Sequence, residues 1–433
     1  MYLKIITDKY DVVVSNPPYT DNRAYSGTEL GKFLGENYKT PFNFSQNLYA
    51  CFYKRGFDLL TDFGYLGIIH PLTFMYIATY EDMRKHMINY TSVEVFVDYG
   101  LSDLFGTTLV DPAFYVLKKG GNNHIVPFIS LDKYTRTSYE KRKKEFCLSA
   151  SSNIYEKTED KNVIYMNPED FKNIEGYPFI YDISSEFRKK FMTNSIEKEG
   201  IKVATGLATG DNARFLRLWW EVFYDINQID GNSKWVHYSK GGPYCKWYGN
   251  RWALVNWENN GYEIKHFVDE NGKQRSATRN ERLYDKEGIT FSGASTKGTT
   301  FRVLKEKEIF DVKGSSIFPA DSFNNLEYLI GFLNTRLVFY IADLLNPTVS
   351  TQVGDINRVP FIVPTEESEK TISEYSRICI EAKKEIDENY YLNGAAKSPL
   401  SIYSTVTSAL RDVIADELER NITIFVNEYL IDK

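Results

Sequence analysis

Asn16-Pro17-Pro18-Tyr19 is the stretch of this chain whose residue types could do chemistry. An exocyclic amine on an aromatic ring is a poor nucleophile, because its lone pair is delocalised into the ring. A site that alkylates such a nitrogen must hold both N–H groups on acceptors and return electron density to it. Asn16 offers a side-chain oxygen and Pro17 a main-chain carbonyl. The fixed φ angles of Pro17 and Pro18 stiffen the loop, so both acceptors are presented without an ordering cost. Tyr19 then offers an aromatic face for a planar base, and a base inside a duplex is reached only by flipping it out. The plainer alternative is a rigid turn after a strand.

The elements around this tetrapeptide must position it. Asp11-Val12-Val13-Val14 is a short β-branched run, the pattern of a strand covered on both faces of a parallel sheet. It must end at the two prolines, which cannot continue a central strand. From there to Lys119, helical and strand patterns alternate, which predicts an α/β layer.

Composition sets the outer limits. At 433 residues, the length suits roughly two to four domains. No apolar run of about 18 residues is present to span a bilayer, so no membrane partner is expected. The net charge is −6, which argues against a non-specific polycation on nucleic acid but leaves room for a local basic groove. Aromatics reach 15%, an excess that an A/T-rich coding sequence explains as well as function does. Cys51, Cys147, Cys245 and Cys379 lie far apart with no C-x-x-C pair, so no metal site and no disulfide framework is expected, and the setting is read as cytoplasmic. Met1 to Tyr10 lacks the features of a secretory signal.

Taken together, Asp11 to Tyr19 resembles the catalytic motif of adenine-specific (N6) DNA methyltransferases of the Asn-Pro-Pro-Tyr class. Residues 57–60 and 62–71 resemble the helix, glycine turn and next strand of their catalytic domain, ending in Ile69-His70-Pro71. Residues 79–90, 93–98 and 112–119 are similar to the following helix, strand and closing hairpin. The resemblance implies N6 methylation of adenine in duplex DNA from S-adenosylmethionine, with Asn16 and Pro17 as acceptors, Tyr19 stacking on the base and Phe105 on its other face. His70 is read as structural or substrate-lining. No general base is required, because the proton can leave after methyl transfer.

Residues 206–222, 288–292 and 310–318 resemble the target-recognition region of the large methyltransferases of BREX phage-defence systems, the PglX family. Residues 329–335 and 352–360 resemble the end of recognition domains in restriction–modification specificity proteins. One departure matters. The glycine-rich loop and acidic residue that hold the cofactor lie upstream of the catalytic loop in this class, and only ten residues precede Asp11. A permuted cofactor loop was sought at Gly206-x-x-x-Gly210-Asp211 and at 291–299, and neither fits well. The implied reading is a truncated or split methyltransferase, inactive alone, with a separate N-terminal half as its partner and with other defence-system subunits possible.

The expected fold class is therefore α/β, a partial doubly wound sheet followed by a mixed α+β target-recognition domain and a C-terminal helical hairpin. The expected boundaries are 1–123 for the catalytic part, 124–181 for a connector, 182–364 for recognition and 365–433 for the helical tail. The connector carries Lys133, Arg136 and the run Lys141-Arg142-Lys143-Lys144, which could meet phosphate, though a solvated charged helix face explains it better. Arg214, Arg217, Lys297 and Arg302 are the candidate DNA contacts. The tail repeats apolar residues at three or four over Ile372, Tyr375, Cys379, Ala382 and Ile386, and again over Val406, Leu410, Val413 and Ile414, with a break at Asn393-Gly394. The competing function is a DNA-recognition subunit or fragment of such a system without catalysis. Protein-glutamine methylation uses the same tetrapeptide, but it leaves the long region after Lys119 without a purpose.

Overall fold

The structure, a computed structural model, describes residues 7–101, 110–134, 137–222, 233–294, 297–348, 350–391 and 416–423. It divides into two compact units, 1–192 and 193–433.

The first unit is built on a six-stranded sheet. Its strands are β1 (Tyr10–Ser15), β2 (Leu60–Pro71), β3 (Thr91–Asp98), β4 (Pro112–Lys119), β5 (Val126–Ser130) and β6 (Val163–Met166), in the order β1-β2-β4-β3-β5-β6. β1 runs parallel to β2, and β3 parallel to β5, while β4 lies antiparallel between β2 and β3. Helices α1 (Glu29–Asn37), α2 (Leu48–Leu59), α3 (Glu81–Tyr90) and α4 (Thr137–Glu156) complete the α/β layer.

Why these segments fold this way is visible locally. Asn47 caps α2 by accepting from the Tyr49 N–H, and Tyr49, Ala50 and Tyr53 point into the core. Tyr49, Tyr53, Phe74, Phe96, Tyr115 and Phe179 form an aromatic interior on one face of the sheet, each worth roughly 1.5–3 kcal/mol of burial. On the opposite face α4 covers Val97, Ile129 and Leu131.

Two expectations need correction. The segment 124–181 is not a connector, because β5 and β6 extend the same sheet and Phe128 and Tyr181 lie in its core. Pro127 inside β5 hid that strand from a pattern reading. β1 is not covered on both faces either. It is an edge strand with Val12 61% and Val14 78% exposed, while Val13 packs on the core.

The second unit holds two four-stranded sheets of short strands. β7 (Lys202–Ala204), β8 (Leu216–Leu218), β9 (Trp235–Ser239), β10 (Ala253–Asn256), β11 (Gly288–Phe291), β12 (Phe301–Leu304), β13 (Ile309–Phe310) and β14 (Ser316–Phe318) pair as β13-β9-β10-β8 and β12-β11-β14-β7. Leu207, Phe215, Tyr238, Phe310 and Phe318 join in one core, with Trp252 and Trp257 packed against it. Helices α5 (Asn212–Phe215), α6 (Leu326–Leu333) and α7 (Glu366–Tyr391) flank them. A side chain at Gly331 would lie 2.3 Å from Ser376 Oγ, so the glycine lets α6 and α7 meet closely. Ile372 and Cys379 are buried at that contact, as their spacing predicts. Asn393-Gly394 and the second run of the tail lie outside the described residues. No single described helix is long and apolar enough to cross a membrane.

Candidate functional site

β1 delivers the loop. Ser15 pairs with Ile68 of β2, so residues 16–20 emerge beside His70-Pro71, at the carboxyl end of two parallel strands. That is the end at which open α/β sheets bind ligands. Asn16 and Pro18 are exposed, Pro17 is buried and Tyr19 is half-buried against the aromatic core. The Tyr19 hydroxyl donates to Asn16 Oδ1 at 2.8 Å. Burial pushes the Tyr19 phenol upward, which keeps it protonated and a donor. An amide oxygen has two acceptor positions, and Tyr19 takes one of them. The loop exit is secured by Leu48 N–H donating to the Thr20 carbonyl at 3.0 Å and Asn22 N–H to Gln46 at 3.1 Å.

Behind the loop His70 is fully buried, stacked on Tyr49 with centroids 4.4 Å apart and planes at 10°. Its Nδ1 is 3.0 Å from the Pro71 carbonyl and its Nε2 is 2.6 Å from the Tyr115 hydroxyl. Burial lowers its pKa to about 4, so the ring is neutral. A carbonyl only accepts, so Nδ1 carries the proton and Nε2 accepts from Tyr115. His70 is thus a packing and orienting group, in keeping with the structural half of the sequence reading. Phe105 lies outside the described residues.

Two depressions flank the loop. A polar cleft of about 850 Å³ is lined by Asp21, Arg23, Thr28, Lys32, Gln46 and Tyr80. Arg23 is held there by two hydrogen bonds to the Asp21 carboxylate. An apolar groove of about 480 Å³ runs over the open face of β1, β2 and β4, along Val14, Gly67, Ile69, Phe114, Val116 and Cys147.

The DNA candidates do not converge. Arg302 is 1% exposed, donates to Ser292 Oγ at 3.1 Å, and has its pKa lowered to about 10 by burial. This corrects its reading as a DNA contact, because β12 turns its odd-looking polar position into the sheet interior. Arg214 is exposed and paired with Glu263 at 2.6 Å. Arg217 is half-buried and donates to the carbonyls of Ala213 and Leu216, while Lys297 is exposed. In the basic run, Lys143 is buried and donates to the Tyr99 and Leu101 carbonyls, so it serves the strand end and not phosphate.

Among the described residues β1 pairs only with β2. The two candidate permuted loops are otherwise employed. Gly206 is pressed on the Phe310 carbonyl and β7 runs antiparallel to β14, while 291–299 links the antiparallel pair β11 and β12. Among the described residues no cluster of His, Cys, Asp and Glu could hold a metal ion.

Sequence reasoning missed Asn47. Its signal was available, as an N-cap residue before the helix pattern of α2.

Residues 3–105 match the family model of the Eco57I restriction-modification methylase. The chain is 28% identical over 369 residues to the adenine-specific methyltransferase PglX of Lacticaseibacillus casei (strain Zhang), covering 82% of this chain and 30% of that protein. It is 29% identical over 367 residues to the adenine-specific methyltransferase BrxX of Escherichia coli O9:H4 (strain HS), covering 83% and 28%. The chain thus spans under a third of the length of these curated relatives. Among solved structures, the Type IIL restriction-modification enzyme MmeI in complex with DNA superposes with a TM-score of 0.53 at 10% identity, over 97% of this chain and 56% of that one. A nuclease-deletion mutant of the Type ISP enzyme LlaGI, with a DNA substrate mimic, gives 0.50 at 12% identity, over 85% and 35%. The described residues share the fold of these two solved structures, and the chain is similar over most of its length to the two adenine-specific methyltransferases.

Proposed function

We propose that this chain is the base-holding and target-recognition part of an adenine-specific DNA methyltransferase. The reaction is methyl transfer to adenine N6 in duplex DNA. The observation that carries the reading is the loop itself, in which an exposed Asn16 and a buried Pro17 close the carboxyl end of β1 and Tyr19 leans on Asn16. Asn16 Oδ1 and the Pro17 carbonyl accept the two amine N–H groups of the flipped base, and Tyr19 stacks on its face. Both acceptors polarise the amine toward nitrogen as it becomes positive. A neutral, buried His70 is not needed as a base, because the proton leaves to solvent after transfer.

The methyl donor in this reading is S-adenosylmethionine, and no step is assigned to it on these residues. We propose that its pocket comes from a separate methyltransferase half that pairs along β1 and covers Val12, Val14 and the apolar groove. Exposed valines on an edge strand are apolar surface that such a partner would bury. The second unit is the recognition part, acting on duplex DNA in the cytoplasm, with other defence-system subunits as further partners.

The test is transfer of labelled methyl from S-adenosylmethionine to unmethylated plasmid DNA. The chain is assayed alone and with the part of the Lacticaseibacillus casei relative outside the matched stretch supplied as a second polypeptide. Label on adenine only when both are present supports the reading. DNA binding without transfer in every combination would instead favour a recognition fragment. Calorimetric titration of S-adenosylmethionine into the chain checks the donor separately, with no binding expected.

A further inference from the structure

Residues 16–19 belong to no strand or helix, so something outside them must fix where Tyr19 sits. We propose that Asn47 is a positioning residue for the candidate catalytic loop, a role that rests on the reading of Asn16 to Tyr19 given above. Asn47 is 7% exposed and 28 residues from Tyr19. Its Nδ2 donates to the Tyr19 carbonyl at 3.3 Å, while its Oδ1 accepts from the Tyr49 N–H at 3.2 Å. One amide therefore starts α2 with its oxygen and holds the stacking residue with its nitrogen. The two ends cannot be exchanged, because an N–H needs an acceptor and a carbonyl needs a donor.

Further contacts make the clamp stiff. Asp21 and Asn47 form an isolated antiparallel bridge, flanked by the Leu48-to-Thr20 and Asn22-to-Gln46 bonds. Tyr80 stacks on Tyr49 with centroids 5.3 Å apart, and Tyr49 stacks on His70. Asn47 thus ties the Tyr19 main chain to the head of α2, whose Tyr49 is stacked on His70, while the Tyr19 hydroxyl rests on Asn16. Sub-ångström placement of a stacking ring beside two acceptors is worth orders of magnitude in rate.

Asn47→Asp tests this, since it keeps the cap acceptor for Tyr49 and replaces the donor with a second acceptor. Asn47→Ser keeps a cap of shorter reach, without charge. Both are expected to melt close to wild type. In hydrogen exchange on the whole chain, peptides spanning 19–25 should exchange at least about 10-fold faster in both variants, with the interior amides of α2 unchanged. In the complemented enzyme both should lower kcat at least about 10-fold, with KM for plasmid DNA within about 2-fold of wild type. Wild-type exchange at 19–25 together with wild-type kcat in Asn47→Asp would overturn the inference, as would a loss confined to KM. If the wild-type complex transfers no methyl, the proposed function fails, and the exchange result alone decides the clamp.

Discussion

The two units differ in where the residues singled out for function lie. In the first, the groups that could act stand at the end of a strand on an exposed loop, while the residues that orient them, His70, Tyr49 and Asn47, are buried behind it. In the second, a candidate contact is itself taken inside, a burial of charge that the first unit also shows at Arg84, Lys143 and Asp98. Arg302 is buried beside Ser292, and Glu308 is buried in an ion pair with Arg251. Burial raises the Glu308 carboxyl and lowers the Arg302 guanidinium. The lesson is that a charged residue type marks function only where the fold leaves it at a surface. A four-residue loop can be read as chemistry, whereas an arginine on a strand has a face that pairing alone decides.

The largest effect that would break this contrast is at Asn16. Asn16→Ala should cost about 10²-fold or more in methyl transfer by the complemented enzyme, with little change in melting because the side chain is exposed. Full activity would end the loop mechanism.

Arg302→Ala should behave as its mirror image. It should destabilise the second unit by about 3 kcal/mol, read in denaturant, because a buried guanidinium leaves a cavity and unpaired polar neighbours. DNA affinity of the folded variant should keep its salt dependence. A reduced salt slope at unchanged stability would restore it as a phosphate contact.

Acid sharpens the comparison. His70 and His86 in the first unit have pKa values lowered by burial to about 4, and His237 in the second to about 3. Each stays neutral when folded and takes a proton when unfolded, so its contribution is present above about pH 6.5 and is lost as pH falls toward the folded value. Asp98 runs the other way. Burial raises it to about 6, so the folded state binds a proton first and gains stability as pH falls from about 6 toward its unfolded value. Melting midpoints should drop between pH 6.5 and 4. Asp98→Asn should steepen that drop, by on the order of 2 kcal/mol across the window. An unchanged slope would show that Asp98 does not titrate there.

The smallest effect is at Arg214, an exposed pair with Glu263. Arg214→Ala should change stability by under about 1 kcal/mol. If this side chain meets phosphate, it should also lower the salt slope of DNA binding by about one.

Several parts were legible because their physics is local. The end of β1 at Pro17 and Pro18 and the Ile372 and Cys379 face of α7 each follow from a few neighbouring residues. Others were not. Val12 and Val14 read as covered because β-branched runs usually are, yet the cover is absent among the described residues. Lys143 hid in a charge run, since nothing nearby in sequence marks the Tyr99 and Leu101 carbonyls it meets 42 to 44 residues away.

By itself, then, the sequence determined the chemistry on offer, because acceptor types, fixed proline φ angles and an aromatic face are properties of adjacent residues. Only the tertiary structure decided what supports that chemistry. The reach from Asn47 to Tyr19, the stack of Tyr80, Tyr49 and His70, the open edge of β1 and the burial of Arg302 all depend on strand order and helix placement, which bring distant residues together.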